Sequence, residues 1–383
     1  MQKGKMSQWN VPESDIVETI KHCLETDQQA VLATIIRVSG SAYRRSGTKM
    51  VLPEAEDHVG SITAGCLEAK LTDRAQVVLD AGVAQIETFD LTTDDDIWGL
   101  GIGCNGVIDI LLEPISSAYR PLVDAFEADE PISLVTMFDD SDSITTRGYY
   151  QPSAGLRAVT GTFSDGFCNE ITPLLETAIA QGSAETLTID GETVFIDGNR
   201  PPPRLVVFGH GHDVVPVVDL AKKSGFQVEV ISFRGKEALG DRFSGADRVQ
   251  TTSPGSLAET VQFDSNTYVV IMSHNFVDDR LMFETVLETP VPYIGLMGPR
   301  KRFDELLANC DDIVKLTPAD VDRIYTPIGV ALGSETPYQI AHSIVAELLA
   351  VHNDQELSHL CDREGPIHER TSLTTDESSG FDS

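Results

Sequence analysis

Residues 204–235 read RLVVFGHGHDVVPVVDLAKKSGFQVEVISFRG, a run that leaves few folds open. A short all-apolar strand, RLVVFG, is followed by a glycine turn, a helical segment reaching Ser224 and a second apolar strand, QVEVIS. RVQTT, TYVVIM, the helical DRLMFETVLE and PYIGLMG continue the alternation. Strands that are apolar along their whole length need cover on both faces, and helices between them supply it. The pattern therefore predicts a doubly wound parallel sheet. The last strong helix is TPYQIAHSIVAELLAVH, with Thr336 as N-cap, Pro337 in the first position and Gln339 completing a capping box.

Upstream the pattern is different. DIVETIKHCLETDQ carries a helical stripe at Ile16, Val17, Ile20 and Leu24, and QAVLATIIRVSG and TKMVLP read as strands. LEAKLTDRAQVVLDAG predicts a helix with Leu67, Leu71, Ala75, Val78 and Leu79 on one face and Gly82 as its stop. AQIETFDL and GVIDILLEPI are expected as strands flanking a glycine-rich loop, with a helix over 119–129 and strands at PISLVTMF, GLRAVTGTF and ETVFID. DGNRPPP at 197–203 interrupts everything, and its three prolines mark a domain boundary. The expected class is α/β: an N-terminal α+β domain over 1–200, a Rossmann-like parallel-sheet domain over 201–352, and an acidic disordered tail over 353–383.

Charge narrows the function. The 383 residues hold 60 acids against 28 bases, a formal net charge of −32, and the acids are spread along the chain. Such a surface repels itself in dilute buffer, and salt screens the repulsion. A salt-rich cytoplasm, as in a halophilic archaeon, explains it economically; an acidic protein from a mesophile is the alternative. Sequence-independent nucleic-acid binding is disfavoured, because phosphate backbones need a basic face. MQKGKMSQWNVPESD lacks the apolar segment of a signal peptide, and no run approaches the ~18–20 apolar residues of a membrane helix. A cytoplasmic protein with its scattered cysteines as thiols is expected, and no membrane partner.

Six motifs carry candidate chemistry. Gly209 and Gly211 fit the first two glycines of a dinucleotide-binding turn, but Val214 takes the third position and Ser232 stands where an acid would hold a ribose. Arg234 offers a partner for a 2′-phosphate. His210 and His212 flank Gly211, as metal ligands or as ordinary loop histidines. Cys66 falls where a strand hands over to a helix, with Gly65 and other small residues before it; such a thiol is accessible and shifted toward thiolate, the alternative being a buried, inert one. GLGIGCNG, with Gly103 and Cys104, brings amides against an anion or simply joins two strands. Cys66 and Cys104 together suit a soft metal or sulfur transfer. Arg44 and Arg45, and Arg300, Lys301 and Arg302, are basic clusters in an acidic chain, fit for phosphate or for solvent-facing ion pairs. His274 and Asp279 follow the apolar strand TYVVIM, where a His–acid pair would transfer protons, hold a metal or order the loop.

In this order GSAYRRSGTKM, VGSITAGCLEA, GLGIGCNGVIDILLEP, VVFGHGH, MSHNFVDD, PYIGLMGPRKR and TPIGVALGSETPYQIAHSIVAEL resemble the XdhC/CoxI family, accessory factors of xanthine dehydrogenase and other molybdenum hydroxylases. The resemblance runs from about residue 30 to 350. It implies a family-specific N-terminal domain, a Rossmann-like C-terminal domain, and a chaperone rather than a catalyst. That chaperone binds molybdenum cofactor in its molybdopterin form, promotes its sulfuration and delivers it to an apo-hydroxylase of xanthine or CO dehydrogenase type. Implied partners are that apoenzyme and a cysteine desulfurase or other sulfurtransferase; a homodimer is the base-rate expectation. Cys66, Glu68, Arg45, Cys104, His274 and Asp279 match motif positions of the family. Val214, Ser232, Pro299 and Asn105 depart from its usual Gly, Asp, Ser and Gly. On this reading Cys66 and Cys104 contact the molybdenum end, Arg44, Arg45 and the cluster of Arg300, Lys301 and Arg302 the anionic end, and Gly209, His210, Gly211 and His212 the pterin. Two other classes stay open: an NADP-dependent oxidoreductase using Arg234, and a cofactor-free scaffold recruiting a sulfurtransferase.

Overall fold

A computed structural model describes residues 12–40, 42–54, 56–63, 65–91, 106–235, 241–310, 316–362, 372 and 373. The chain divides into two compact units, Met1–Pro201 with Arg363–Ser383, and Pro202–Asp362.

The first unit is built on two antiparallel sheets. The first sheet holds β1 (Ala30–Gly40), β2 (Lys49–Pro53), β3 (Val59–Gly60), β4 (Gln85–Asp90) and β5 (Gly106–Pro114) in the order β3-β2-β1-β5-β4. Its central strand is apolar on both faces because helices cover both. Val31, Ala33 and Ile35 pack with Leu67 and with Leu71, Ala75 and Val78 of α2 (Glu68–Ala81), whose N-cap is Leu67 and which stops at Gly82 in the left-handed conformation. Ala30 and Leu32 pack with Ile16, Val17, Ile20 and Cys23 of α1 (Glu13–Thr26) and with Leu122, Val123 and Ala125 of α3 (Arg120–Glu127).

The second sheet orders β6 (Ile132–Phe138), β7 (Ile144–Gln151), β8 (Gly155–Thr160), β9 (Ala184–Ile189) and β10 (Glu192–Asn199) as β8-β7-β6-β10-β9. It packs on α4 (Asp165–Gln181) through Phe167, Ile171, Leu175 and Ala178. The sequence reading names neither α4 nor β7 nor β9. It also ends the strand ETVFID at Asp197, whereas β10 runs on to Asn199; both Asp197 and Asn199 are buried partners of Lys49. Lys49, on β2, is 6% exposed and donates to Asp197, Asn199, Glu13 and the Gly47 carbonyl at 3.0–3.2 Å. Burial opposes its charge, but Asp197 and Glu13 outweigh that and hold the ammonium above the usual lysine range. A second buried cluster, Glu113, Tyr119 and Arg147, closes a cavity of about 20 Å³ beside it. Burial pushes the Glu113 carboxyl up, against the opposing pull of the Arg147 guanidinium. In the tail, expected to be disordered, Leu373 is 5% exposed in the α4 core and donates its N–H to Glu185.

The second unit is one parallel sheet of β11 (Arg204–Phe208), β12 (Gln227–Ser232), β13 (Arg248–Thr251), β14 (Thr267–Ile271), β15 (Tyr293–Leu296) and β16 (Ile324–Tyr325), in the order β13-β12-β11-β14-β15-β16. That is the doubly wound 3-2-1-4-5-6 order, with its switch point between β11 and β14. α5 (Val214–Lys223) covers one face together with the C-terminal helix Pro337–His352, which starts in the expected Thr336–Gln339 capping box. α7 (Phe276–Leu287) and α8 (Arg300–Ala308) cover the other face, and α6 (Leu257–Thr260) caps the route between β13 and β14. The expected α+β unit followed by a Rossmann-like sheet is the fold found. No described helix is long and apolar enough to cross a membrane.

Candidate functional site

In the first unit, strand β3 leads through Ser61, Ile62 and Thr63, all buried, to Gly65 and Cys66, both exposed, and then into α2. The exposed turn is stapled from beneath by one carboxylate. Glu68, 8% exposed, accepts from Thr63 N–H at 3.0 Å, from Thr63 Oγ1–H at 2.7 Å and from Leu67 N–H at 3.1 Å. Thr63 Oγ1 in turn accepts from the Cys66 N–H at 3.1 Å and the Leu67 N–H at 3.2 Å. Gly65 takes φ +105°, a region that excludes other residues, and nothing crowds the space beside it. The motif acid therefore shapes the turn and the thiol is what the turn presents. Arg44 reaches the same corner, with Nη2 3.4 Å from Ser61 Oγ, while its Nε is buried without a hydrogen-bond partner among the described residues. A guanidinium N–H left unsatisfied inside a protein is costly unless something else accepts it. Arg45 is exposed in the adjoining turn. Gly103 and Cys104 lie outside the described residues.

In the second unit the candidate residues collect at the carboxyl ends of β11 and β14, the switch point. Gly209 is needed for close approach, since a Cβ there would sit 2.8 Å from the Met272 carbonyl oxygen. His210 Nδ1 is buried with no hydrogen-bond partner among the described residues, and the His210 carbonyl accepts from Arg242 at 2.6 Å. His212 is exposed. His274 stands in the left-handed region at φ +59°, and its Nε2 lies 2.7 Å from Asp213 Oδ2. The expected pairing of His274 with Asp279 is not what forms. Asp279, 4% exposed, accepts from Ser273 N–H and Oγ–H and from Arg302 at 2.7 Å, locking the strand end to α8. It is a structural acid because it sits one turn into α7, under the loop. Of the basic cluster, Arg302 is thus used internally, whereas Arg300 and Lys301 stay exposed at the start of α8, in loose pairs with Asp304 at 3.9 Å and Glu305 at 3.7 Å.

The nicotinamide determinants are weak. Ser232 is 2% exposed and accepts from the Arg234 N–H at 3.0 Å, and the Arg234 guanidinium pairs with Asp278 at 2.9 Å. No three His, Cys, Asp or Glu side chains converge on a metal-sized point among the described residues. Asp213, Lys49, Glu113 and Arg147 are the residues that sequence reasoning missed. A lysine or acid inside an otherwise apolar strand, as in TKMVLP and VFIDGN, was the available signal.

The geometry defines a two-unit protein in which a Rossmann domain with an acid-bearing glycine turn follows an α+β domain that presents a stapled cysteine turn. The chain belongs to the XdhC and CoxI family: residues 23–90 match the family of that name, and residues 205–348 match the XdhC Rossmann domain. Among its relatives, a Bacillus subtilis protein named as a probable xanthine dehydrogenase subunit is 29% identical over 333 residues, 85% of this chain and 94% of that one. The molybdenum cofactor insertion chaperone PaoD of Escherichia coli is 21% identical over 361 residues, 92% of this chain and 95% of the relative. A crystal structure described as a xanthine dehydrogenase from Bacillus halodurans superposes with a TM-score of 0.75 at 29% identity, covering 90% of this chain and 97% of the other.

Proposed function

We propose that this protein is a cytoplasmic maturation factor that binds molybdenum cofactor, supports its sulfuration and delivers it to an apo molybdenum hydroxylase. The observation that carries the reading is the Cys66 turn: an exposed thiol on a backbone fixed by Thr63 and Glu68, with the orphaned Nε of Arg44 in the same corner. The donor set fits the group. A soft thiol suits molybdenum, and a buried unsatisfied guanidinium N–H suits an anionic oxygen. Each unit offers its own set: in the first, Cys66 would suit a molybdenum end and Arg44 and Arg45 anionic groups; in the second, the turn of Gly209, His210, Gly211 and His212 would face a pterin, and Arg300 and Lys301 would suit anionic groups. When bound, the cofactor supplies the redox-active metal that the client hydroxylase needs. The chain's own residues orient it and keep the thiol presented to a sulfurtransferase. The kinship with a cofactor insertion chaperone supports this role. An NADP-dependent oxidoreductase would need Arg234 for the 2′-phosphate, and Asp278 already engages it.

The test is anaerobic purification of the full chain from its native cytosol, with molybdenum and pterin assayed in the same fraction. Pterin in near-stoichiometric amount, without turnover of NADPH, is expected. Cys66→Ala should abolish maturation of the hydroxylase in cells, and normal hydroxylase activity in that strain would remove the thiol from the mechanism. Full maturation by a chain that carries no pterin would favour the scaffold.

A further inference from the structure

The glycine turn of the second unit has the position of a dinucleotide site and the wrong charge for one. In such a site, backbone N–H groups and the start of the following helix face a diphosphate. Here the residue just before α5 is Asp213, whose side chain makes no capping bond. Its carboxylate lies over the turn instead: a Cβ placed on Gly211 would be 2.2 Å from Asp213 Oδ1. His274 Nε2 holds the other oxygen at 2.7 Å, while Oδ1 accepts no hydrogen bond among the described residues. In the same turn, His210 Nδ1 is buried and has no hydrogen-bond partner among the described residues. The places for a ribose are already taken, with Ser232 buried and Arg234 bound to Asp278.

We infer that Asp213 is the specificity-determining residue of this crevice: its carboxylate turns away diphosphate-bearing dinucleotides and accepts the adjacent N–H donors of a 2-amino-4-oxopyrimidine edge. That edge is common to pterins and guanine. A diphosphate brought to the turn would meet a fixed negative charge within a few ångströms, where attraction normally operates. The ring N–H and exocyclic amine of the heterocycle form a two-donor fork that matches a carboxylate. Each carboxylate oxygen has two lone pairs, so Oδ2 can serve His274 and the ligand together. The choice of pterin over guanine rests on the cofactor-binding reading above; the exclusion of dinucleotides rests on Asp213 alone.

The full-length protein is titrated with 6-hydroxymethylpterin, guanosine, NADH, NADPH and ADP-ribose, as wild type and as Asp213→Asn, Asp213→Gly and His274→Ala, each checked for folding by thermal unfolding. The wild type is expected to bind the pterin saturably and the three diphosphates not at all. Asp213→Asn, which keeps the size and loses the charge, should weaken the pterin about tenfold or more, the loss of a charge-assisted pair. Asp213→Gly should gain saturable binding of ADP-ribose, and His274→Ala should weaken the pterin less than Asp213→Asn does. Guanosine binding tighter than the pterin, with the same dependence on Asp213, supports the edge chemistry and assigns it to a guanine nucleotide. Saturable NADH or NADPH binding by the wild type, or a pterin affinity unchanged in Asp213→Asn, overturns the inference. If wild-type protein nevertheless carries cofactor from the cell, the maturation reading stands without it. If no cofactor co-purifies yet guanosine binds through Asp213, the reverse holds.

Discussion

The Glu68 carboxylate bonds within the turn that carries Cys66, to two backbone N–H groups and the Thr63 hydroxyl. Its two oxygens accept three bonds from Thr63 and Leu67, and it is only 8% exposed. Glu68→Gln keeps the volume but swaps an acceptor for a donor facing an N–H or O–H, leaving buried groups unsatisfied. The expected cost is about 1–2 kcal/mol, or a thermal midpoint about 2–8 °C lower. The same variant should carry less cofactor although Cys66 is intact. An unchanged midpoint would show that the turn does not depend on this carboxylate. At this scale, what was legible in the sequence is what is local. The Cys66 handover and the Gly209–Gly211 turn are set by neighbours in the chain, so composition alone announces them. The partner of His274 is 61 residues away and that of Lys49 is 148 away, and no local pattern says which acid the fold will bring. Asp279 is the nearer acid to His274 in sequence, and proximity in sequence pointed to the wrong pair.

Lys49 acts between elements, tying β2 of the first sheet to β10 of the second and to α1. Removing it strands Asp197, 4% exposed, without its counter-charge. Lys49→Ala should therefore cost about 3–5 kcal/mol, because an uncompensated buried charge is worse than a missing pair. Lys49→Met combined with Asp197→Leu should recover about half of that or more in chemical denaturation, since apolar replacement of a buried pair is often neutral. If the double variant is no more stable than the single one, unpaired charge is not the cause. The folded-state pKa of Lys49 is raised, so its contribution is whole below the unfolded lysine value of about 10.4 and fades only as pH climbs past that toward the folded one. Neutral-pH stability should not titrate with it. The elements that escaped the sequence reading share a physical reason. α4 has a good N-cap in Ser164 and a glycine stop at Gly182, but Pro173 sits in its interior and reads as a breaker. β7 contains Gly148, where a Cβ would strike the Arg157 carbonyl at 2.5 Å. Glycine is required there by the neighbouring strand, and in sequence the same glycine weakens the strand signal. The central strands of the parallel sheet were legible because strands covered on both faces are largely apolar, whereas the two-residue edge strand β16, Ile324–Tyr325, is too short to leave a pattern and went unnamed.

For the whole molecule the governing quantity is a net charge of −32, summed from 60 acids and 28 bases. Two salt effects compete. Screening weakens the surface ion pairs, each worth at most about 1 kcal/mol, and it also weakens repulsion among acids that have no base to pair with. With more than two acids for every base, repulsion is the larger sum, so salt should stabilise the protein. The Debye length falls from about 10 Å at 0.1 M to about 3 Å at 1 M, and beyond that little repulsion is left to screen. The thermal midpoint in KCl should therefore rise steeply up to about 1 M and then flatten, whereas strengthening of apolar burial by salt would continue to climb with concentration. A steep rise with a plateau assigns the gain to relieved repulsion. A flat or falling midpoint would mean that the ion pairs outweigh the excess charge. It would also remove the physical reason to expect that a chain of this charge works in high salt.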